Sequence, residues 1–276
     1  MLRIEVIILG LIMMVLIALI WLVPTLEQFR RQRIKEQPFP LLWETIIQQN
    51  LPLYQHLAPP LKKRLQGHIQ VILAEKQFVG CGGLSLTEEM KLTIAAIASL
   101  LLLNERGEYY PKLSSILVYP STYVAKQTKA ISNYIVQESK VVRLGESWSR
   151  DLVILPWSQI QHDTQNWQDG HNVILHEFAH QLDSETGTAN GVPLLPHKSD
   201  YVTWAKVLTQ EYQQLINQVQ QGTPTVMSAY GITNPAEFLA VATETFFEKP
   251  KLMVQRHPAL YHQLKQYYKL DPVEWI

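Results

Sequence analysis

Two histidines and a glutamate stand at a spacing that supports metal chemistry. The segment from His176 to His180 reads HEFAH, and residues 173–182 around it contain neither proline nor glycine, so we expect a helix. Positions i and i+4 of a helix share a face, which brings the two imidazoles to one point where they can bind Zn²⁺. Glu177 is offset by about 100°, so its carboxylate can act on a water without binding the metal. The pattern predicts a zinc-dependent hydrolase.

The alternative is an amphipathic helix that carries these three residues by chance. Their neighbours in the segment are mostly apolar: Val173, Ile174, Leu175, Phe178, Ala179 and Leu182. Two histidines and a glutamate in such surroundings cost free energy unless they are coordinated or hydrogen-bonded. The apolar surroundings therefore favour a metal site.

A third protein ligand has to come from outside this segment. Catalytic zinc sites usually have three protein ligands and one position for water. A metzincin would place a glycine three residues, and a third histidine six residues, after His180. This chain has Asp183 and Thr186 at those positions. Asp183, about one turn after His180, is instead a candidate to hydrogen-bond a ligand.

Two glutamates compete for the position of third ligand. The segment Asn234-Pro235-Ala236-Glu237 predicts a helix start, with asparagine at the N-cap and proline at the first helical position. Glu237 could be a ligand, or it could merely complete a capping box. Glu244 lies on the same helix face, either as the ligand or as a hydrogen-bond partner of a ligating histidine. The residues alone leave this choice open.

Composition limits the other kinds of site. Cys81 is the single cysteine, which excludes an intrachain disulfide and a thiolate zinc cage. Lys and Arg together number 24, as do Asp and Glu, so the formal net charge is zero. A balanced chain has no overall attraction to nucleic acid, and we expect no nucleic-acid partner.

Helices predominate among the elements that would position these residues. Helical patterns cover 43–66, 88–104 and most of the chain after residue 170, and the run 92–103 suits a buried core helix. Short aliphatic runs predict strands at 116–119 and 152–155, and the run 68–73 is also rich in β-forming residues. We therefore predict an α+β domain that is mainly helical and contains a small sheet.

The N-terminal segment predicts a membrane anchor. Residues Val6 to Val23 form an unbroken apolar run of 18 residues, closed by Pro24, which is long enough to span a bilayer. We expect a transmembrane helix at 1–24, a basic juxtamembrane linker at 25–40 and one zinc metallopeptidase domain at 41–276. Basic residues follow the run, which predicts a single-pass protein with its catalytic domain in the cytoplasm. These residues are Arg30, Arg31, Arg33 and Lys35.

Several separate segments resemble one protein family. They are HEFAHQLD (176–183), YGITNPAEFLAVATETFFEKP (230–250), FVGCGGLSLTEEMKLTIAAIASLLLL (78–103), ILVYP (116–120) and GESWSRDLVILPW (145–157). Together they are similar, in order and over roughly residues 40–270, to the MtfA (Mlc titration factor A) family of zinc-dependent peptidases. The active-site motifs also resemble those of the anthrax lethal factor protease domain.

The resemblance implies a zincin-like domain with one Zn²⁺ per chain. It favours Glu237 over Glu244 as the third ligand, beside His176 and His180. It implies that Tyr230, seven residues before Glu237, stabilises the transition state and that Glu177 is the general base. The substrate would be a peptide or protein, and an aminopeptidase activity is one form that we expect the reaction to take.

The resemblance also implies an alternative function. Some family members bind a DNA-binding repressor called Mlc, so this chain could be a zinc-containing regulatory module that sequesters such a partner. The family members considered lack an apolar N-terminal segment, and this chain departs from them there.

Overall fold

The computed structural model describes residues 4–104, 108–121 and 151–275. Residues 145–150 of the last family-like segment lie outside these ranges. The described α-helices are α1 (Ile4–Lys35), α2 (Leu41–Asn50), α3 (Leu53–His56), α4 (Pro59–Glu75), α5 (Glu88–Leu100), α6 (Trp157–Gln165), α7 (Val173–Asp183), α8 (Asp200–Gln220), α9 (Pro235–Glu248), α10 (Pro250–Arg256) and α11 (Pro258–Tyr268). Single 3₁₀ turns lie at Ser184–Thr186, Ala229–Ile232 and Pro272–Trp275.

Three short strands form a parallel sheet in the order β1-β2-β3. They are β1 (Gln77–Gly80), β2 (Ser115–Tyr119) and β3 (Leu152–Pro156). Helix α5 connects β1 to β2, as a parallel pair requires a crossover. Its apolar residues from Leu92 to Leu100 are buried, and it packs against α4 and α7. The predicted α+β class, mainly helical with a small sheet, is confirmed.

One local prediction fails at residues 68–73. Their β-branched content predicts a strand, but they lie inside α4, where Ile69, Val71 and Ile72 are fully buried. Burial of these side chains against the core outweighs the modest intrinsic preference of β-branched residues for strands.

The prediction of a membrane anchor is wrong. In the ranges that the structure describes, no helix combines the length and the apolar character needed to cross a membrane. The predicted transmembrane helix, the membrane partner, the single-pass location and the cytoplasmic orientation are therefore withdrawn. The division of the chain at residues 24 and 40 stays a prediction.

The C-terminal half of α1 packs against α4. Arg31 forms a two-pronged ion pair with Glu75, with Nε–Oε1 and Nη2–Oε2 distances of 2.9 and 3.0 Å. Gly67 lets the helices approach closely, because a Cβ atom at this position would lie 3.1 Å from Cγ of Lys35. Residues 25–35 are thus part of a helix that contacts the domain.

His68 on α4 should make stability depend on pH. Its side chain is buried, and burial together with Lys35 and Arg64 lowers the pKa of His68 to about 3. The unfolded chain takes up this proton near pH 6.5, so the free energy of unfolding should fall by about 1.4 kcal/mol per pH unit below that pH. We expect His68→Gln to remove this slope. Urea unfolding of both proteins between about pH 5 and 7.5 measures it, and parallel pH profiles would contradict the assignment.

Candidate metal centre

The start of α7 is held by side chains from other elements. Asn172 caps the helix by accepting a hydrogen bond from the Leu175 N–H at 3.1 Å. Asp163 on α6 accepts from the Val173 N–H at 2.8 Å. These acceptors satisfy N–H groups that a helix start leaves unpaired. They fix the first turn of the helix that carries His176, Glu177 and His180.

The start of α9 is built as its sequence predicts. Asn234 is the N-cap, and its Oδ1 accepts from the Glu237 N–H at 3.0 Å. Pro235 occupies the first turn. The Glu237 carboxylate, however, points at the two histidines of α7. Its main chain thus takes part in the cap while its side chain belongs to the site.

Three potential ligand atoms converge between α7 and α9. Oε2 of Glu237 lies 2.9 Å from Nε2 of His176 and 3.3 Å from Nε2 of His180, and the two Nε2 atoms are 3.2 Å apart. A tetrahedral zinc ion with bonds of about 2.0–2.1 Å would hold its ligand atoms about 3.3 Å apart. Within the described residues, these three are the group that could hold a metal ion. Their donor types and spacing fit one.

Glu244 lies on the other side of the His176 ring. Its Oε1 is 2.7 Å from Nδ1 of His176, and its Oε2 accepts from the Asn172 N–H at 2.7 Å. A carboxylate at Nδ1 keeps the proton there and leaves the Nε2 lone pair for a metal. This arrangement matches the alternative role for Glu244, as the hydrogen-bond partner of a ligand.

The site concentrates opposite charges. Burial lowers the pKa of His176, but hydrogen bonds to Glu237 and Glu244 outweigh burial and raise it to about 10. Burial alone would raise the pKa of Glu237, yet its bonds to the two histidines lower it to about 2. The protein therefore stabilises a positive charge between these side chains, either a proton or a metal ion.

Glu177 and Tyr230 flank the three potential ligands. Glu177 is half-buried, and burial raises its pKa, assisted by the nearby carboxylates and opposed by the histidines. The ring of Tyr230 lies 5.8 Å from that of His176 and is 54% exposed. Its position on the 3₁₀ turn before α9 is set by Ser228, which accepts from the Tyr230 N–H. The carboxylate of Glu237 acts on the pKa of both Glu177 and Tyr230, so both side chains lie near the three potential ligands.

Asp183 holds a loop and makes no hydrogen bond to His180 in the described structure. Its side chain is fully buried, and Oδ2 accepts from the Gly191 N–H at 2.8 Å. Gly191 has φ +79°, and a Cβ atom there would lie 2.6 Å from the Pro235 carbonyl oxygen. The contact ties the loop after α7 to the start of α9.

Two carboxylates that support the start of α7 could not be identified from the sequence. Asp163 contributes as described above. Glu248 accepts from the main-chain N–H groups of Gly170 and His171 at 3.0 and 3.1 Å and from Asn172 Nδ2 at 3.2 Å. Their partners at the start of α7 lie 10 to 78 residues away along the chain, so no local pattern predicts these contacts.

Comparison with known proteins decides the family. A family model described as glucose-regulated metallo-peptidase M90 matches residues 26–269. The chain belongs to this family. Metallopeptidases of family M90 are hydrolases that use a metal, and His176, His180 and Glu237 form a group that could bind it.

Curated relatives extend over most of the chain. Protein slr2042 of Synechocystis sp. (strain ATCC 27184 / PCC 6803 / Kazusa) is 44% identical over 263 residues, covering 95% of this chain and 96% of the relative. Mlc titration factor A of Serratia proteamaculans (strain 568) is 32% identical, covering 83% and 89%. Mlc titration factor A of Klebsiella pneumoniae (strain 342) is 32% identical, covering 85% and 88%. The resemblance to the MtfA family within M90 is confirmed.

Proposed function

We propose that this M90 protein is a zinc-dependent peptidase that hydrolyses peptide bonds with an activated water. The observation that carries the proposal is the convergence of His176, His180 and Glu237 within 3.3 Å of one another, beside a glutamate on the same helix. Two imidazoles and a carboxylate are a ligand set of catalytic zinc. The HExxH spacing supplies a base at the adjacent helix position.

Each side chain has a distinct role in this proposal. His176, His180 and Glu237 would hold one Zn²⁺, which supplies Lewis acidity that polarises the scissile carbonyl and acidifies water. Glu177 accepts the proton of the attacking water and then delivers it to the leaving amine. Glu244 keeps the His176 ring in the orientation that presents Nε2. Tyr230 donates a hydrogen bond to the oxyanion of the tetrahedral intermediate.

The sheet offers a place for an extended peptide. β3 lies at an edge of the described sheet, in the order β1-β2-β3, and it packs against α7. An edge strand can pair with an added strand through main-chain hydrogen bonds. We propose that substrate pairs with this edge and thereby passes the site on α7.

Metal analysis combined with a substrate panel tests the proposal. The full chain would be purified, its bound metals measured, and its activity assayed on internally quenched peptides and on aminoacyl amides. One equivalent of zinc with chelator-sensitive hydrolysis is the expected result, and the aminoacyl amides test for an aminopeptidase. A protein without metal, or hydrolysis unaffected by chelation, would refute the proposal.

Removal of the Tyr230 hydroxyl should slow catalysis without loss of metal. Tyr230→Phe keeps the ring that lies 5.8 Å from His176 but removes the donor. Loss of one oxyanion donor typically costs about 10²–10³ in kcat. We expect this decrease in kcat, with KM and zinc content near those of the parent protein. An unchanged kcat would remove Tyr230 from the catalytic group.

A second candidate is a regulatory module that binds a partner protein. The relatives in Serratia and Klebsiella are named Mlc titration factor A, a name that hints at a regulatory partner, and the resemblance to that family implies a transcriptional repressor as the class of partner. In that case the protein would bind zinc at this site but would not hydrolyse peptides. Zinc binding with no hydrolysis by the full chain, together with a stable complex with a repressor, would favour this candidate.

A further inference from the structure

An exposed apolar stripe runs along α1. Large apolar residues recur there at alternating spacings of four and three positions, from residue 8 to residue 29. Valine and leucine occupy positions 15 and 19 of this series. The other five positions have described side chains that are each 51–65% exposed: Ile8, Ile12, Leu22, Leu26 and Phe29. We call these five residues the α1 stripe.

The stripe continues into the polar end of α1, on the side opposite the domain. Residues 25–35 include three large apolar residues, Leu26, Phe29 and Ile34. Ile34 is partly buried and packs against the core, and Arg31 forms the ion pair with α4. At about 100° per residue, Arg31 and Ile34 lie about 200° and 140° around the helix axis from Phe29. The domain therefore holds one face of α1, and the stripe occupies the other.

The spacing of the α1 stripe is that of a helix-pairing surface. Alternating steps of four and three average about 3.5 residues, which is the repeat of the contact positions in coiled coils. Such a series drifts by only about 20° per heptad around a straight helix, so it stays on one face. Pro24, which lacks a main-chain N–H donor, lies about 200° from both Leu22 and Leu26 and leaves the stripe uninterrupted. The surface that fits the stripe is another α-helix with the same spacing.

The area of the stripe is large enough for a dimer contact. A half-exposed leucine, isoleucine or phenylalanine side chain leaves roughly 100 Å² accessible, so the five residues together expose roughly 500 Å² per chain. Two such stripes in contact would bury roughly 1,000 Å², which is about the minimum for a specific protein interface. A single apolar patch of this size is at the upper end of what monomeric proteins expose, about 300–600 Å². The stripe thus has the area of an interaction surface.

We propose that α1 of a second copy of this chain covers the α1 stripe, so that the protein forms a homodimer. A second copy carries a stripe of the same length and spacing, and the same surface on both subunits is the usual contact of a symmetric dimer. Because α4 packs on the opposite face of α1, the two domains lie on the outer sides of the helix pair. The metal centre is built from α7 and α9, so this proposal stands independently of the zinc-peptidase proposal.

Sedimentation velocity of the full chain in detergent-free buffer tests the dimer. We expect a species with twice the mass of the 31.8 kDa chain. The triple variant Leu22→Gln/Leu26→Gln/Phe29→Gln removes three apolar side chains of the stripe from each copy. Its dimer should dissociate at least about 100-fold more readily, because each buried side chain of this size contributes about tenfold or more to the association constant.

A matched triple variant distinguishes the stripe from general apolar character. Met13→Gln/Met14→Gln/Ile20→Gln removes three exposed apolar side chains from other faces of the same helix and should dimerise like the parent. Circular dichroism and thermal melts of both triple variants provide the control for folding. The single variant Phe29→Gln, with an expected loss of about tenfold, repeats the comparison with a smaller change to the helix.

Three results would overturn the proposal. The first is a parent protein that sediments with the mass of one chain. The second is an equal loss of association in both triple variants, which would indicate non-specific contact between apolar helices. The third is parent protein that binds phosphatidylcholine vesicles as a single chain, which would mean that lipid rather than a second copy covers the stripe.

Discussion

Replacement of Glu177 by glutamine is expected to abolish most hydrolysis while the protein keeps its metal. The amide has nearly the shape of the carboxylate but cannot accept the proton of the attacking water. General acid–base catalysis contributes about 10²–10⁴ to the rate, so kcat should fall by that factor. Glu177 is not one of the three converging ligand residues, so zinc content should remain at one equivalent.

A matched variant separates this effect from a general loss of charge. Glu274→Gln removes an exposed carboxylate in the last 3₁₀ turn and should leave turnover unchanged. Steady-state hydrolysis and metal content would be measured for both variants. Parent-like turnover by Glu177→Gln would refute the role of Glu177 as general base, whereas loss of zinc from it would show that Glu177 supports the ligand group.

The two competing glutamates of α9 should differ sharply in their effect on metal affinity. Glu237→Gln removes the carboxylate whose Oε2 lies near both Nε2 atoms, and we expect zinc affinity to fall by more than about 100-fold. Glu244→Gln leaves the converging atoms in place but weakens the hydrogen bond to Nδ1 of His176. Loss of a hydrogen bond to a metal-binding histidine typically lowers the metal affinity by about 10–100-fold.

Competition with a chromophoric chelator measures both affinities on the full chain. Circular dichroism and thermal melts of the metal-free variants provide the control for folding. A larger loss for Glu244→Gln than for Glu237→Gln would reverse the two assignments. Equal and small losses would mean that the third ligand is neither glutamate.

The sequence predicts the site best where the pattern is local. The HExxH spacing and the Asn234-Pro235 helix start both depend on residues within one or two turns, and both helices form where expected. The choice between Glu237 and Glu244 could not be made locally, because both lie on the same face of α9. The choice depends on the position of α9 along the axis of α7, which only the packing of the two helices determines.

Long-range packing accounts for what the sequence did not reveal. The carboxylates of Asp163 and Glu248 look like ordinary polar residues until the fold brings them to the start of α7. Residues 68–73 look like a strand until the core requires a helix there.

The carboxylates of α9 also lock the register of two antiparallel helices. Glu237, Glu244 and Glu248 lie on one face of α9. Along the chain of α7 they contact successively earlier positions. Glu237 contacts His180 and His176, Glu244 contacts His176 and Asn172, and Glu248 contacts residues 170–172. A slip of one residue would rotate all three carboxylates by about 100° and break every contact together. If the site binds a metal ion as proposed, binding should be coupled to the docking of α9 on α7. A bound ion should stabilise this interface in proportion to the logarithm of its concentration once it exceeds the dissociation constant.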